Sequence, residues 1–147
     1  VYTFRKLTEM FGSVQEMLLY LKEALVEKVN KHNEVELPRI KNQTLKAIFM
    51  FINDNFCNDI SVQSISSDFH VNPKYFCQLF KKEVGTTFTE YLTNLRIDYA
   101  CKLLTTTDVP INEIAGKVGY DDYFYFSRVF KRIKGKSPST YRMEGET

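Results

Sequence analysis

The sequence predicts an all-α protein: two helix-turn-helix subdomains joined by a long central helix, preceded by an extra amphipathic helix. Three observations lead there. Apolar residues recur every three or four positions rather than every two, which is the helical period. The stretch YFCQLFKKEVG at 75–85 returns as YFSRVFKRIKG at 125–135. Each copy follows a shorter helical stretch and a tight turn, which is the layout of a helix-turn-helix.

The elements follow in chain order. Leu7, Phe11, Val14, Leu18, Leu21 and Leu25 step alternately by four and three, a coiled-coil type of seam. This segment has two readings. It is a dimerising or signal-carrying helix, or it packs on another domain or back on the chain. The polar stretch NKHNEVELPR ends it at Pro38. A helix over 41–56 presents Leu45, Ile48, Phe49, Ile52 and Phe56 on one face. A short helix over 61–68 carries Val62 and Ile65, with Phe69 just beyond. Asn72 is a good N-cap, and Pro73 suits the first helical position, where its missing N–H costs nothing. That helix stops at Gly85, a left-handed cap. Thr87 and Glu90 form a capping box that opens a helix to Thr106, with Phe88, Tyr91, Leu92, Leu95, Tyr99 and Leu103 inside. A short helix with Ile111, Ile114, Ala115 and Val118 follows. Asp122 caps the next helix, which runs to Lys134 before Gly135. A last short helix starts at Ser137-Pro138.

The doubling reaches beyond the quoted stretches. Ile60, Val62, Ile65 and Phe69 match Val109, Ile111, Ile114 and Val118 at an offset of 49. Tyr75, Phe76, Phe80, Lys81, Gly85 and Tyr91 match Tyr125, Phe126, Phe130, Lys131, Gly135 and Tyr141 at an offset of 50. One residue is therefore inserted in the second turn. A repeat of this size is architecture before it is anything else. At about 100° per residue, Phe76, Leu79 and Phe80 point inward in the first copy, and Lys74, Cys77, Gln78 and Lys81 outward. In the second, Phe126, Val129, Phe130 and Ile133 point inward, and Phe124, Ser127, Arg128 and Lys131 outward. The inner sets nearly coincide and the outer sets differ. Either a reader of base sequence or a drifting surface produces that pattern. A joining helix of some twenty residues spans about 30 Å, close to the ~34 Å that separates successive major grooves on one face of B-DNA.

Composition narrows the function. Apolar residues make up 44% of the 147, a globular content. No apolar run is long enough for a transmembrane helix. Residues 1–71 hold 8 Lys/Arg against 9 Asp/Glu, and residues 72–142 hold 12 against 7. Arg128, Lys131, Arg132, Lys134 and Lys136 come with no acid among them. This cluster suits a polyanion, or a solvated helix face. Cys57, Cys77 and Cys101 are far apart and make no C-x-x-C pair, and His32 and His70 are isolated. No metal site, cofactor site or catalytic set is expected, so the chain is not expected to be an enzyme. The cysteine usage suits a reducing cytoplasm. The opening VYTFRKLTEM has no signal pattern and no initiating Met, so a fragment of a longer protein is expected. The expected organisation is a linker helix at 1–38, the duplicated domain at 39–142 and a tail at 143–147.

The segment EIAGKVGYDDYFYFSRVFKRIKGKSPSTYR, Glu113 to Arg142, and LRIDYACKLL, Leu95 to Leu104, resemble the DNA-binding domain of the AraC/XylS family of bacterial transcription regulators. The resemblance covers roughly residues 40–142. It implies a seven-helix domain that places two recognition helices in adjacent major grooves, with double-stranded DNA as partner and RNA polymerase a second one. Because the two outer faces differ, an asymmetric site is expected, and the dimerising reading of the heptad seam places a homodimer contact at residues 7–29. Regulators of this kind are activators or repressors. The resemblance places base-reading positions at Lys74, Cys77 and Gln78 in the first helix. In the second it places them at Tyr123, Phe124, Tyr125, Ser127 and Arg128. The helical wheel sets Tyr123 and Tyr125 nearer the edge.

Chemistry assigns roles within this set. The Arg128 fork suits guanine O6 and N7, or a phosphate. Gln78 suits adenine N6 and N7, or solvent. Phe124 suits a thymine methyl, or packing against the first unit. Lys81, Lys82, Lys131, Arg132 and Lys136 are the phosphate candidates, and Lys74 serves a phosphate as well as a base. Arg96, amid apolar residues, is expected to pair internally with Asp98 or with a carboxylate of the neighbouring unit. Asp121 and Asp122 depart from the family pattern by adding negative charge beside the second recognition helix. A helical protein-interaction module, with the Tyr123–Tyr125 tip as its hot spot, is the competing function.

Overall fold

In the computed structural model, residues 40–145 are described, together with Lys22. The rest of the heptad segment, the linker up to Arg39 and the last two residues lie outside the described residues. Seven helices are described: α1 Gln43–Asn55, α2 Val62–Asp68, α3 Pro73–Val84, α4 Phe88–Thr106, α5 Ile111–Lys117, α6 Tyr123–Lys134 and α7 Pro138–Gly145. The α7 helix carries three residues into the segment expected as a tail.

Local chemistry sets the helix ends. Asn42 caps α1, its side chain accepting from the Leu45 N–H at 3.1 Å. Ser61 caps α2 through a reciprocal pair with Ser64. Asn72 caps α3 with Pro73 behind it, and Gly85 closes that helix at φ 92°. Thr87 and Glu90 open α4 with the expected capping box. Asp122 caps α6, and Gly135 closes it at φ 77°. The ends of α2 and α5 are built alike. The Val71 N–H donates to Ser66 O and the Tyr120 N–H to Ala115 O, both at 2.9 Å. This is the six-to-one bond of a Schellman turn. The left-handed residue each turn requires is His70 at φ 53° in the first and Gly119 at φ 99° in the second. Beyond that point the extra residue of the second copy is Asp121.

Each helix-turn-helix builds its own core on the shared central helix. The first core joins Leu45, Ile48, Phe49 and Ile52 of α1 to Ile65, Phe76, Phe80, Phe88 and Leu92. The second joins Ile97, Ala100, Cys101 and Leu104 of α4 to Ile114, Ala115, Val118, Tyr120, Phe126, Val129 and Phe130. Ring geometry repeats with the sequence. Phe76 and Phe80 lie 5.7 Å apart, and Phe126 and Phe130 lie 5.8 Å apart. Tyr91 sits 5.7 Å from Phe80, and Tyr141 sits 5.5 Å from Phe130.

The central helix departs from the expected single inward face. At 3.6 residues per turn, its first buried set (Phe88, Leu92) and its second (Ile97, Ala100, Cys101, Leu104) centre about 150° apart. The two units thus cover nearly opposite sides of one rod. Tyr91, Leu95, Tyr99 and Leu103, expected inside, are half-buried at the seams.

Arg96 also departs from expectation. Among the described residues it pairs with no carboxylate. Its Nε donates to Phe56 O at 2.7 Å and its Nη2 to Asn58 O at 2.8 Å. Asp98 instead accepts from Lys134 at 2.7 Å. The guanidinium wins over an ammonium at position 96 because its fork reaches two carbonyls at once.

Candidate nucleic-acid interface

The α3 helix turns Phe76 and Phe80 into the first core, with Leu79 half-buried. Lys74, Tyr75, Cys77, Gln78, Lys81 and Lys82 are left exposed. The α6 helix turns Phe126, Val129 and Phe130 into the second core. Tyr123, Phe124, Tyr125, Arg128, Lys131 and Arg132 are exposed, and Ser127 is half-buried. The repeat pairs these positions one to one: Lys74 with Phe124, Cys77 with Ser127, Gln78 with Arg128, Lys81 with Lys131, and Lys82 with Arg132.

Phe124 is 73% exposed. Packing against the first unit is therefore not what holds it; its ring meets only that of Tyr123, at 5.6 Å, among the described ring contacts. Tyr125 leans on Tyr120 at 6.0 Å. Tyr75 is as exposed as Tyr125, 52% in each case. The repeat pairs Tyr75 with Tyr125, which puts Tyr75 on the outer face of α3, although the family resemblance places no base-reading position there.

Charge on the second unit is less free than the sequence suggests. Lys134 is ion-paired to Asp98, which raises its pKa above the ordinary lysine value. Lys136 is ion-paired to Glu144 on α7. Arg128, Lys131 and Arg132 are the exposed cations of that cluster. At the N-termini, Asn72 accepts from the Tyr75 N–H at 3.1 Å and Asp122 from the Tyr125 N–H at 2.9 Å. The geometry is shared, but only the second cap is charged.

The remaining chemistry is structural. Burial pushes the Cys57 and Cys101 thiols up, away from the reactive thiolate. Cys77 is exposed on the outer face of α3. Among the described residues no group of three or more His, Cys, Asp or Glu is placed to hold a metal ion. Among them, too, no helix is long and apolar enough to cross a membrane.

A helix-turn-helix domain family matches residues 65–144, spanning both duplicated recognition helices. The chain belongs to the AraC/XylS family. It carries that family's DNA-binding domain, and the family regulates transcription and is not enzymatic. The arabinose operon regulatory protein of Escherichia coli (strain K12) is 32% identical over 134 residues, covering 89% of this chain and 46% of the relative. The C-terminal domain of AraT, a response regulator from Geobacillus stearothermophilus, superposes with a TM-score of 0.69 at 36% identity. That match covers 72% of this chain and 88% of the other. The same AraC-type fold occurs in the DNA-binding domain of AdpA, a global transcriptional factor solved in complex with a target DNA. It matches with a TM-score of 0.66 at 22% identity, over 70% of this chain and 93% of that one. The chain spans less than half the length of curated relatives such as the arabinose regulator.

Proposed function

We propose that this domain reads an asymmetric duplex site, with α3 and α6 entering successive major grooves. One observation carries the proposal: two matching scaffolds present unlike outer faces. A shared core with Lys74, Cys77 and Gln78 on one helix and Phe124, Ser127 and Arg128 on the other gives each half-site its own chemistry. The central helix of 19 residues spans about 28 Å, which suits the ~34 Å groove repeat once the recognition helices have width. The complex of AdpA with its target DNA supports duplex reading by this fold.

In this reading Gln78 pairs with adenine and Arg128 with guanine, each bidentate. Phe124, one helical turn before Arg128, meets a thymine methyl. Tyr123, Tyr125 and Ser127 line the same groove, and Lys74 and Cys77 the other. Lys81, Lys82, Lys131 and Arg132 hold phosphates, and Lys136 joins them on leaving Glu144. The reading extends to a longer cytoplasmic regulator that pairs through residues 7–29 and works on RNA polymerase as activator or repressor.

The test is selection of bound duplexes from a random pool, followed by salt titration. With Lys136 among them, five phosphate contacts give a slope of log K against log salt of roughly −4.5. Arg128→Ala is expected to remove the preference at one base pair, about 1–3 kcal/mol, and leave non-specific binding largely intact. No enriched sequence together with a flat salt response would overturn the proposal. It would favour a protein partner for the exposed Tyr123–Tyr125 tip.

A further inference from the structure

The joint between the two helix-turn-helix units centres on one side chain. Arg96 leaves the middle of α4 and donates to Phe56 O and Asn58 O, at the end of α1 in the first unit. The same guanidinium lies 5.6 Å from the ring centre of Tyr120, in the turn of the second unit. Tyr120 is buried, and its ring packs on Tyr125 and Phe126 at the start of α6. Gly119 completes the joint. A Cβ there would stand 2.9 Å from Arg96 Nε and 3.0 Å from Cys57 O. Beside it, Phe56 meets Tyr99 edge-on at 5.6 Å. One cation therefore ties the end of α1 to the turn that launches α6.

We infer that Arg96 is a positioning residue that fixes the separation of the two recognition helices, so that the domain measures half-site spacing as well as half-site sequence. The inference rests on the two-groove reading above. It adds a residue that need touch no DNA to act. The physical basis is the fork. A single guanidinium satisfies two backbone carbonyls of one unit and presents its face to an aromatic ring of the other. Without it, the second unit keeps its packing on α4 but loses its tie to α1. What remains at the joint is ring packing, Phe56 on Tyr99 and Tyr120 on Tyr125 and Phe126, and a hydrogen bond of Tyr120 with Thr93 that ties the turn to α4 and not to α1.

The experiment uses the whole chain and a duplex it selects from a random 30-base-pair pool. Binding is measured on that duplex and on versions with one base pair inserted or deleted between the half-sites. Each change turns the second half-site by about 34° and moves it about 3.4 Å. The wild type is expected to lose affinity roughly tenfold or more, the cost of mispresenting at least one base contact. Arg96→Ala is expected to cut that penalty to about threefold or less, whatever its effect on overall affinity. Arg96→Lys keeps charge and stem but not the fork, and is expected to behave likewise if the alanine variant folds poorly. A spacing penalty equal in all three proteins would overturn the inference and leave the two-groove reading standing. A wild type indifferent to spacing would overturn both.

Discussion

Because the two recognition helices share a scaffold, the outer face of one can be moved to the other. The triple substitution K74F/C77S/Q78R gives α3 the residues of α6 at three paired outer positions; Tyr75 already matches Tyr125, and Pro73 stays where α6 has Tyr123. All three positions are exposed on α3, so the stability change is expected to stay within about 0.5 kcal/mol. The Lys and Gln changes cancel in charge, so the salt slope should hold. Specificity should not. Losing a Gln–adenine pair and gaining an Arg–guanine pair shifts the preference at one base pair by roughly 2–6 kcal/mol. That is at least about 30-fold at 1.4 kcal/mol per decade. Selection from random duplexes is then expected to yield two half-sites of like preference at that base pair, in place of the asymmetric site proposed for the wild type. The half-site read by α6 should not change. Recovery of the original asymmetric site would show that these three positions do not read DNA, and loss of sequence preference in both half-sites would show that the two outer faces are not interchangeable.

Three further outcomes concern the scaffold. Gly116 is helical and a Cβ there meets nothing within 4 Å. Gly116→Ala is therefore expected to stabilise by about 0.5–1 kcal/mol, read as a rise in Tm of roughly 2–8 °C. Ser66 is buried and its hydroxyl has no partner among the described residues; the repeat places Ala115 at the same point. Ser66→Ala should gain about 1 kcal/mol in urea unfolding, and a loss would mean the hydroxyl is satisfied. Glu90 accepts from the Thr87 N–H and hydroxyl at 3.1 and 3.0 Å, which holds its carboxyl below the ordinary value of 4.5. A depressed folded pKa stabilises above the unfolded value and is lost as pH falls through the folded one. The Tm difference between wild type and Glu90→Gln should thus be present at pH 6 and vanish well below pH 4.5; a difference independent of pH would contradict it.

Which features the sequence disclosed follows from how local they are. Asn72, Asp122, Gly85, Gly135 and the Thr87–Glu90 box act within four residues, and each lies where its spacing put it. The Ser61–Ser64 box escaped because the pattern sought there ends in Glu or Gln. The central helix misled because periodicity reports one stripe. A rod that serves two cores carries two, and Ile97, Ala100, Cys101 and Leu104 fell outside the stripe drawn through Phe88 and Leu92. Arg96 was legible as an internal side chain but not by partner. Its acceptors are carbonyls at Phe56 and Asn58, and every residue has a carbonyl. Lys134 and Lys136 counted toward a cationic cluster until the fold brought Asp98 and Glu144 to them. The repeat gave the outer faces most directly, since a shared inner pattern leaves the differing residues exposed.

The caps show what the duplication kept and what it released. Asn and Asp are nearly equal as N-caps, and Asn72 and Asp122 accept the same bond from the same position of their helices. Only the charge differs. An anion at a helix N-terminus favours the helix by about 0.3–1 kcal/mol, but the same anion beside a phosphate backbone is repelled. Asp121, the inserted residue, adds a second negative charge at that end and is exposed. The first helix carries Lys74 at its start, where the second carries Phe124 after two acids. In the proposed complex the cationic grip of the second helix must therefore come from its later turns, through Arg128, Lys131 and Arg132. Its start is left to apolar contact in the groove. In that proposed complex the two units divide the work: one leads with charge, the other with an aromatic tip. On that proposal a palindromic site, with both halves alike, would not satisfy both.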